Sequence, residues 1–191
     1  MDLLQIMKQL AGGMGTSIEI FTVTLLVSLP LGLLISFGRM SKNPVLRAAV
    51  KFYISIMRGT PLMLQLMVVY FGPYYLFGIR VGSGYRLWAT FIGFVINYAA
   101  YFAEIYRSGI QSMPQGQYEA AYILGYSRFQ TFFKIILPQV IKRILPSVTN
   151  EVITLVKDTS LAFTLSVAEM FSIAKALAAS QTNMIPFVAA G

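Results

Sequence analysis

Four polar side chains lie at helical spacing in an otherwise apolar segment in the last third of the chain: Ser147, Glu151, Thr154 and Asp158. Their separations of four, three and four residues place them on one face of a helix. Two carboxylates and two hydroxyls on one face suit a hydrated path that accepts a cation or an ammonium group. The alternative is a structural seam, in which the hydroxyls bond to neighbouring helices and the acids pair with basic residues. The candidates for such pairs are Lys142, Arg143 and Lys157.

The chain lacks the groups needed for most covalent or hydrolytic chemistry. It has no histidine and no cysteine, so the usual general base near neutral pH, the thiolate nucleophile and the commonest metal ligands are missing. No Gly-Lys-Ser or Gly-Lys-Thr sequence occurs, although a phosphate-cradling loop needs one. We therefore predict that this chain alone is not an enzyme and binds no cofactor or metal.

The composition indicates a membrane protein. Of the 191 residues 57% are hydrophobic and 12% charged, and the mean hydropathy is +0.68, whereas soluble domains carry about 25% charged residues. Apolar runs of about 20 residues recur, the length that crosses the hydrocarbon core of a bilayer. We predict an all-α, polytopic membrane helix bundle of about five spans, the last one incomplete.

The predicted spans cover roughly residues 15–38, 60–77, 87–105 and 137–164. A further apolar run from Ile185 to Gly191 is too short to cross. Thr60 and Pro61 are predicted to be the N-cap and the first helical residue of the second span. The mixed apolar and basic segment 45–57 predicts a short interfacial helix rather than another span.

Basic residues set the expected orientation. Five lie between the first two spans with no acid among them: Arg39, Lys42, Arg47, Lys51 and Arg58. The loop from Gly78 to Arg86 has two arginines, and the long polar loop after the third span has more basic residues. Because lysine and arginine concentrate in cytoplasmic loops, the N-terminus is predicted to lie outside and the long loop in the cytoplasm.

Acidic and amide side chains within spans need partners. Glu19, Glu104, Glu151 and Asp158 would each cost about 3 kcal/mol near the centre of a lipid-facing helix, so they are expected to face the bundle, a wet cavity or a partner. Glu104 is predicted to pair with Arg107. For Asn97, mid-span, a packing hydrogen bond is favoured over a substrate contact. The candidate substrate pathway comprises Asn97, Glu151, Thr154, Asp158 and Thr159.

The long loop predicts a helix–glycine–helix element. Good helix formers run from Gln117 to Leu124, and Gly125 suits the left-handed residue that ends a helix. Ser127 suits the N-cap of a second helix, 128–137, that Pro138 ends or kinks. Its exposed aromatic residues would suit a protein interface; they are predicted to be Tyr118, Tyr122, Tyr126 and Phe129. An ordinary amphipathic loop packed on its own bundle is equally compatible with these residues.

The residues of this loop resemble a family signature. The loop matches at every position the signature loop of permease subunits of ATP-binding cassette importers. The matching residues are Glu119-Ala120-Ala121, then Gly125 after three residues, Ile135 after nine more, and Leu137-Pro138 after one more. Three further segments are similar to the polar amino-acid branch of that family: Arg58-Gly59-Thr60-Pro61, Ala103-Glu104-Ile105-Tyr106-Arg107 through Gly116-Gln117, and Lys157-Asp158-Thr159-Ser160-Leu161. The likeness extends over about residues 15–190.

The resemblance implies a type I importer fold: one permease domain over 1–191 that contains a cytoplasmic coupling loop at 107–138, in a multi-pass protein of a bacterial-type inner membrane. In such importers the first loop helix, here Gly116 to Gly125, inserts into a groove of an ATPase subunit. The implied coupling residues are Gly116, Glu119, Ala120, Ala121, Gly125, Leu137 and Pro138. The family usually has a complete final span and a short cytoplasmic tail, so we expect truncation rather than a four-span protein.

The implied partners are a cytoplasmic ATPase dimer, a second permease copy or close paralogue, and an extracytoplasmic amino-acid-binding protein, all around a lipid bilayer and without nucleic acid. The implied substrate is a polar L-amino acid, and the acidic stripe favours a basic one. Two alternative functions need no such partners: a secondary transporter driven by protons or sodium through Glu151 and Asp158, and a membrane anchor without a pathway. In-span acids argue against the anchor.

Overall fold

The computed structural model describes residues 3–82 and 84–190, and this part of the chain is built of helices with no β-strand. The helices are α1 (Leu3–Arg39), α2 (Pro44–Gly59), α3 (Leu62–Phe77), α4 (Tyr85–Gln111), α5 (Gln115–Ile123), α6 (Arg128–Gln130), α7 (Leu137–Asp158), α8 (Met170–Gln181) and α9 (Ile185–Ala190). A π-helical turn, Thr131–Ile136, joins α6 to α7, and a 3-10 segment, Thr159–Leu165, follows α7. The all-α prediction is confirmed. Four residues lie outside the described ones: 1, 2, 83 and 191. All four belong to the predicted domain; residue 83 also belongs to the loop from Gly78 to Arg86, and residue 191 to the last apolar run.

Two of the described helices, α1 and α4, are long and apolar enough to cross a membrane alone. Two further spans arise if bent pairs count as one each: α2 with α3, which meet at 112°, and the helical stretch from α6 through the 3-10 segment with α8, at 63°. The predicted first span lies within α1, whose helix begins earlier, at Leu3. The predicted incomplete fifth span corresponds to the six residues of α9.

The bend between α2 and α3 lies against the middle of α4. Asn97, close to the midpoint of α4, donates from Nδ2 to the backbone oxygen of Met57 in the last turn of α2, at 3.1 Å. Tyr53 donates its hydroxyl to the backbone oxygen of Ile96. The helix predicted over 45–57 is confirmed, and its C-terminal half packs against the middle of α4. Such broken helices are tolerated at membrane depth where they line a cavity.

The caps explain where α2 and α3 begin. Asn43 caps α2, because its Oδ1 accepts from the backbone N–H groups of Val45 and Leu46. The predicted cap of the second span is shifted by one residue: Pro61 itself is the N-cap of α3, which begins at Leu62. Thr60 instead ends α2, and its hydroxyl donates to the backbone oxygen of Ile56 at 2.8 Å.

Pro138 does not end a helix. It lies in the first turn of α7, and the π-helical turn before it keeps the backbone helical from α6 onward. The predicted separate helix 128–137 is therefore wrong at its C-terminal end. Its start is confirmed, because Ser127 and Gln130 form a reciprocal capping box.

A seam of small residues joins α1 to α4. The buried face of α1 carries a residue of small volume every four positions at Thr24, Ser28, Gly32 and Ser36. A Cβ added to Gly32 would lie 2.8 Å from the Cβ of Phe102 and 3.0 Å from the backbone oxygen of Ala99. The two helices therefore approach as closely as small-residue packing in membranes allows, and this packing holds α4 in the centre of the bundle.

Candidate functional site

A short helical element that we call the knuckle, residues 115–130, lies at the end of the bundle reached by the C-terminus of α4. Its central bend is a Schellman motif: Gly125 has φ +78°, and the N–H groups of Gly125 and Tyr126 donate to the backbone oxygens of Tyr122 and Ala121, both at 3.0 Å. The predicted left-handed glycine is confirmed, as is the helix before it, now bounded as α5.

The knuckle presents apolar side chains to the exterior. Tyr122, Ile123, Leu124 and Phe129 are between 71% and 82% exposed. Tyr126 is exposed as predicted, whereas Tyr118 is only partly exposed because it packs against Met113 and Ile136. Sequence reasoning missed Ile123 and Leu124, because their aliphatic side chains resemble core positions. An exposed apolar cluster on a rigid turn is a surface for a protein partner.

Five of the seven predicted coupling residues lie in the knuckle, and they differ in exposure. Gly116, Glu119, Ala120 and Gly125 are exposed, Ala121 is buried, and Leu137 and Pro138 lie where α7 begins. Nε2 of Gln139 on α7 approaches Oε1 of Gln117 on α5 at 3.3 Å. The knuckle is therefore in contact with the first turn of α7.

A polar cavity opens at the bend between α2 and α3. It has a volume of about 340 Å³ and is lined by Thr60, Pro61, Leu62, Asn97, Tyr98, Tyr101, Glu151, Thr154, Asp158 and Leu161. A second cavity of about 540 Å³ shares Tyr101 and Glu151 with it and extends towards Ser112 and Arg143. The two form a polar route along α4 and α7, from the middle of the bundle to the end that bears the knuckle.

Both charge signs are present along this route. Asp158 accepts a hydrogen bond from the hydroxyl of Tyr98, with 2.7 Å between the oxygens. The guanidinium of Arg58 lies 5.3 Å from the ring centroid of Tyr101, within the range of a cation–π contact. Glu151 lies at the junction of the two cavities. Such a site offers carboxylates to an ammonium group and a guanidinium to a carboxylate.

The structure brings together four of the five predicted pathway residues: Asn97, Glu151, Thr154 and Asp158. Thr159 is not among them, because it lines a different cavity of about 590 Å³ between α1 and α8. Sequence reasoning missed Arg58, Tyr98 and Tyr101. The position of Arg58 at a helix break was a signal for it, but nothing in the pattern distinguished the two tyrosines from packing aromatics.

The ion pairs test part of the alternative in which the acids of α7 belong to a structural seam and pair with basic residues. Within the described residues, neither Glu151 nor Asp158 forms a salt bridge with Lys142, Arg143 or Lys157. Arg143 instead donates to the backbone oxygen of Ser112 at 2.7 Å. The predicted pair of Glu104 and Arg107 is confirmed, with Nε of Arg107 3.0 Å from both carboxylate oxygens.

An amide network fixes the bend that forms the cavity. Nδ2 of Asn97 donates to Oε1 of Gln65 at 2.9 Å as well as to Met57. Nε2 of Gln65 in turn donates to the backbone oxygens of Met57 and Thr60, both at 3.0 Å. The two donors of Asn97 are thus engaged within the protein, as expected for a packing hydrogen bond.

We expect Gln65→Leu to destabilise the fold by about 2 kcal/mol or more, because it leaves buried acceptors and a buried amide donor without partners. Thermal unfolding in detergent would measure the change. Gln9→Leu, the same substitution at an exposed position of α1, should leave the unfolding temperature almost unchanged. Equal unfolding temperatures for the two variants would contradict a structural role of the network.

A membrane helix bundle with a broken span, a polar cavity at the break and an exposed knuckle at one end has the architecture of a permease. The chain belongs to the family described as "binding-protein-dependent transport system inner membrane component", which residues 28–191 match. The predicted family and the predicted inner-membrane location are confirmed by this match.

Named relatives are similar over most of the chain. It is 44% identical over 163 residues to the probable amino-acid ABC transporter permease protein YckA of Bacillus subtilis, covering 85% of this chain and 70% of the relative. It is 41% identical over 139 residues to the putative glutamine transport system permease protein GlnP of Rickettsia bellii, covering 73% and 62%. Other relatives are named as L-cystine and arginine permeases.

The fold is similar to a crystal structure described as an amino acid ABC transporter with histidines. The TM-score is 0.85 at 29% sequence identity, over 100% of this chain and 89% of the other. The predicted type I importer fold is confirmed by this similarity.

Proposed function

We propose that this chain is the membrane-spanning permease subunit of an ATP-driven importer of a polar amino acid. The observation that carries the proposal is the polar route from the broken α2–α3 span to the end of the bundle that bears the knuckle. Such a route lets a solute cross while the knuckle receives mechanical work from a partner. The names of the relatives support amino acids as the substrate class.

The proposed assembly contains two permease copies, or this chain and a close paralogue, with two cytoplasmic ATPase subunits that hold ATP and magnesium. An extracytoplasmic binding protein would deliver the substrate. ATP-driven closure of the ATPase subunits would draw the knuckles together, and the direct contact of α5 with α7 would pass this movement to the helix that carries Glu151 and Asp158. The cavity would thereby open alternately to each side.

The proposed substrate is a zwitterionic, basic L-amino acid. Within the described residues, Glu151 has no hydrogen-bond partner, and Asp158 accepts only from Tyr98. Both carboxylates therefore keep free acceptor sites for cationic groups, which offset their desolvation in a membrane cavity. Arg58 supplies the complementary charge for the α-carboxylate. A basic substrate agrees with the relative named as an arginine permease. The relative named as a glutamine permease does not by itself support a basic substrate.

Uptake of a panel of amino acids tests both the importer function and the preference for a basic substrate. We reconstitute the chain with its copurifying ATPase in vesicles, and compare competition by arginine, lysine, histidine, glutamine and glutamate. Arginine, lysine or histidine should compete at lower concentration than the others. Strong glutamate uptake that arginine does not affect would exclude a basic substrate. Uptake in vesicles without any ATPase would exclude the importer and favour the ion-coupled transporter.

A further inference from the structure

The end of the bundle opposite the knuckle carries an aromatic cleft. It has a volume of about 430 Å³ and is lined by Tyr70, Phe71, Tyr74, Tyr75, Arg80 and Val81. The four rings lie at positions i, i+1, i+4 and i+5 of α3 and so share one face of that helix. The bundle packs instead against Leu62, Gln65 and Leu66. Tyr70 lies at the edge of this face and packs against the core cluster, whereas Phe71, Tyr74 and Tyr75 are exposed.

The position of the cleft corresponds to the boundary between lipid and water. Tyr75 and Phe77 at the end of α3 are 77% and 75% exposed, and Trp88 in the first turn of α4 is 65% exposed. Exposed aromatic rings at the ends of spans form the belts that lie at the level of the lipid headgroups. The apolar side chains below them, including Val68 and Phe71, are exposed too, as expected where acyl chains cover a helix.

Two arginines reach this cleft without a carboxylate to neutralise them. Arg80 lines it directly, and Arg86 of α4 donates from Nε to the hydroxyl of Tyr70 at 3.4 Å. The sequence contains no Asp or Glu between Glu19 and Glu104. Neither arginine forms a salt bridge in residues 3–82 and 84–190. Two guanidinium groups beside tyrosine hydroxyls at headgroup depth are complementary to a phosphodiester. Because no carboxylate neutralises them, they favour a headgroup of net negative charge over a zwitterionic one.

We propose that this cleft binds the phosphate of an anionic phospholipid, with its acyl chains along the exposed face of α3. The ligand is part of the bilayer, because the exposed apolar side chains below the arginines would otherwise face water. A protein partner could offer carboxylates to the same arginines, but it would leave those side chains uncovered. The site is separate from the cavity at Glu151 and does not depend on the proposed transport function.

Trp88 provides a direct test, because it is the only tryptophan of the chain and lies two residues after Arg86. The full chain is reconstituted in phosphatidylcholine vesicles that contain either brominated phosphatidylglycerol or brominated phosphatidylcholine at equal mole fraction. We expect quenching of Trp88 to indicate a roughly tenfold preference for phosphatidylglycerol, as two basic residues near the surface can provide. The double variant Arg80→Gln/Arg86→Gln should remove this preference.

Lys8→Gln is the matched control, because it also removes a charge at an exposed position but lies far from the cleft in sequence, on α1. It should keep the preference. Thermal unfolding of each variant checks that the fold is retained. Equal quenching by both lipids in the unaltered chain would overturn the proposal, as would a preference that survives in the double variant. Loss of the preference on adding soluble glycerol 3-phosphate would also overturn it, since the ligand would then be a free phosphate ester.

Discussion

Gly125→Val is expected to reduce amino-acid uptake at least tenfold, while the partner ATPase continues to hydrolyse ATP. Gly125 has φ +78°, a conformation that costs an ordinary L-residue about 1–2 kcal/mol and a β-branched residue more. Valine would therefore unwind the Schellman motif and displace Leu124 and Tyr126 from the knuckle. Parallel assays of uptake and ATP hydrolysis in reconstituted vesicles measure the ratio of the two activities.

Gly12→Val separates this effect from the mere addition of a side chain. A Cβ at either Gly12 or Gly125 has no atom within 4 Å, but Gly12 lies inside α1 with ordinary helical geometry. The control should keep the wild-type ratio of uptake to hydrolysis. If the Gly125 variant keeps that ratio as well, the contact with the ATPase lies elsewhere on the chain.

Glu151→Gln is expected to lower the uptake of basic amino acids tenfold or more. The substitution keeps the size of the side chain and removes its charge, and a hydrogen bond to a charged group contributes about 1.5–3 kcal/mol. Glu151 lines both cavities, so its charge is available along most of the route. Initial uptake rates for arginine and glutamine in the same vesicles would measure the loss, which should be larger for arginine.

Glu19→Gln is the corresponding control, because Glu19 is an acid within a span that is exposed and lines neither cavity. Its uptake of arginine should remain close to that of the unaltered chain. A Glu151 variant that transports arginine at the normal rate would rule out the acidic stripe as the binding surface. An equal loss for arginine and glutamine would assign Glu151 to opening of the cavity rather than to selection.

Local features of the fold were predictable where single residues dictate the backbone. Gly125 and Ser127 marked the end of one helix and the start of another, because few residues adopt a left-handed conformation or supply a capping oxygen. The stripe from Ser147 to Asp158 was predictable because helical spacing alone places its members on one face. The pairing of Glu104 with Arg107 followed from the same geometry.

Features that depend on contacts between distant segments were not predictable. The contact of α2 with the middle of α4 includes the hydrogen bond of Asn97 to Met57, 40 residues away in sequence, and hydropathy contains no information on it. Thr159 follows the acidic stripe by one residue, about 100° around the helix, and the cavity that it lines is formed by the packing of α1 and α8 against this segment. Tyr98 was indistinguishable from a packing aromatic until its hydroxyl was placed beside Asp158.

The seam between α1 and α4 has a consequence for the substitutions that the bundle tolerates. No hydrogen bond or salt bridge joins the two helices within the described residues, and the hydroxyls of Thr24 and Ser28 lack partners there. Close contact of small residues, together with the apolar side chains packed beside them, thus holds the seam. A single added methyl group at Gly32 would therefore wedge the two helices apart.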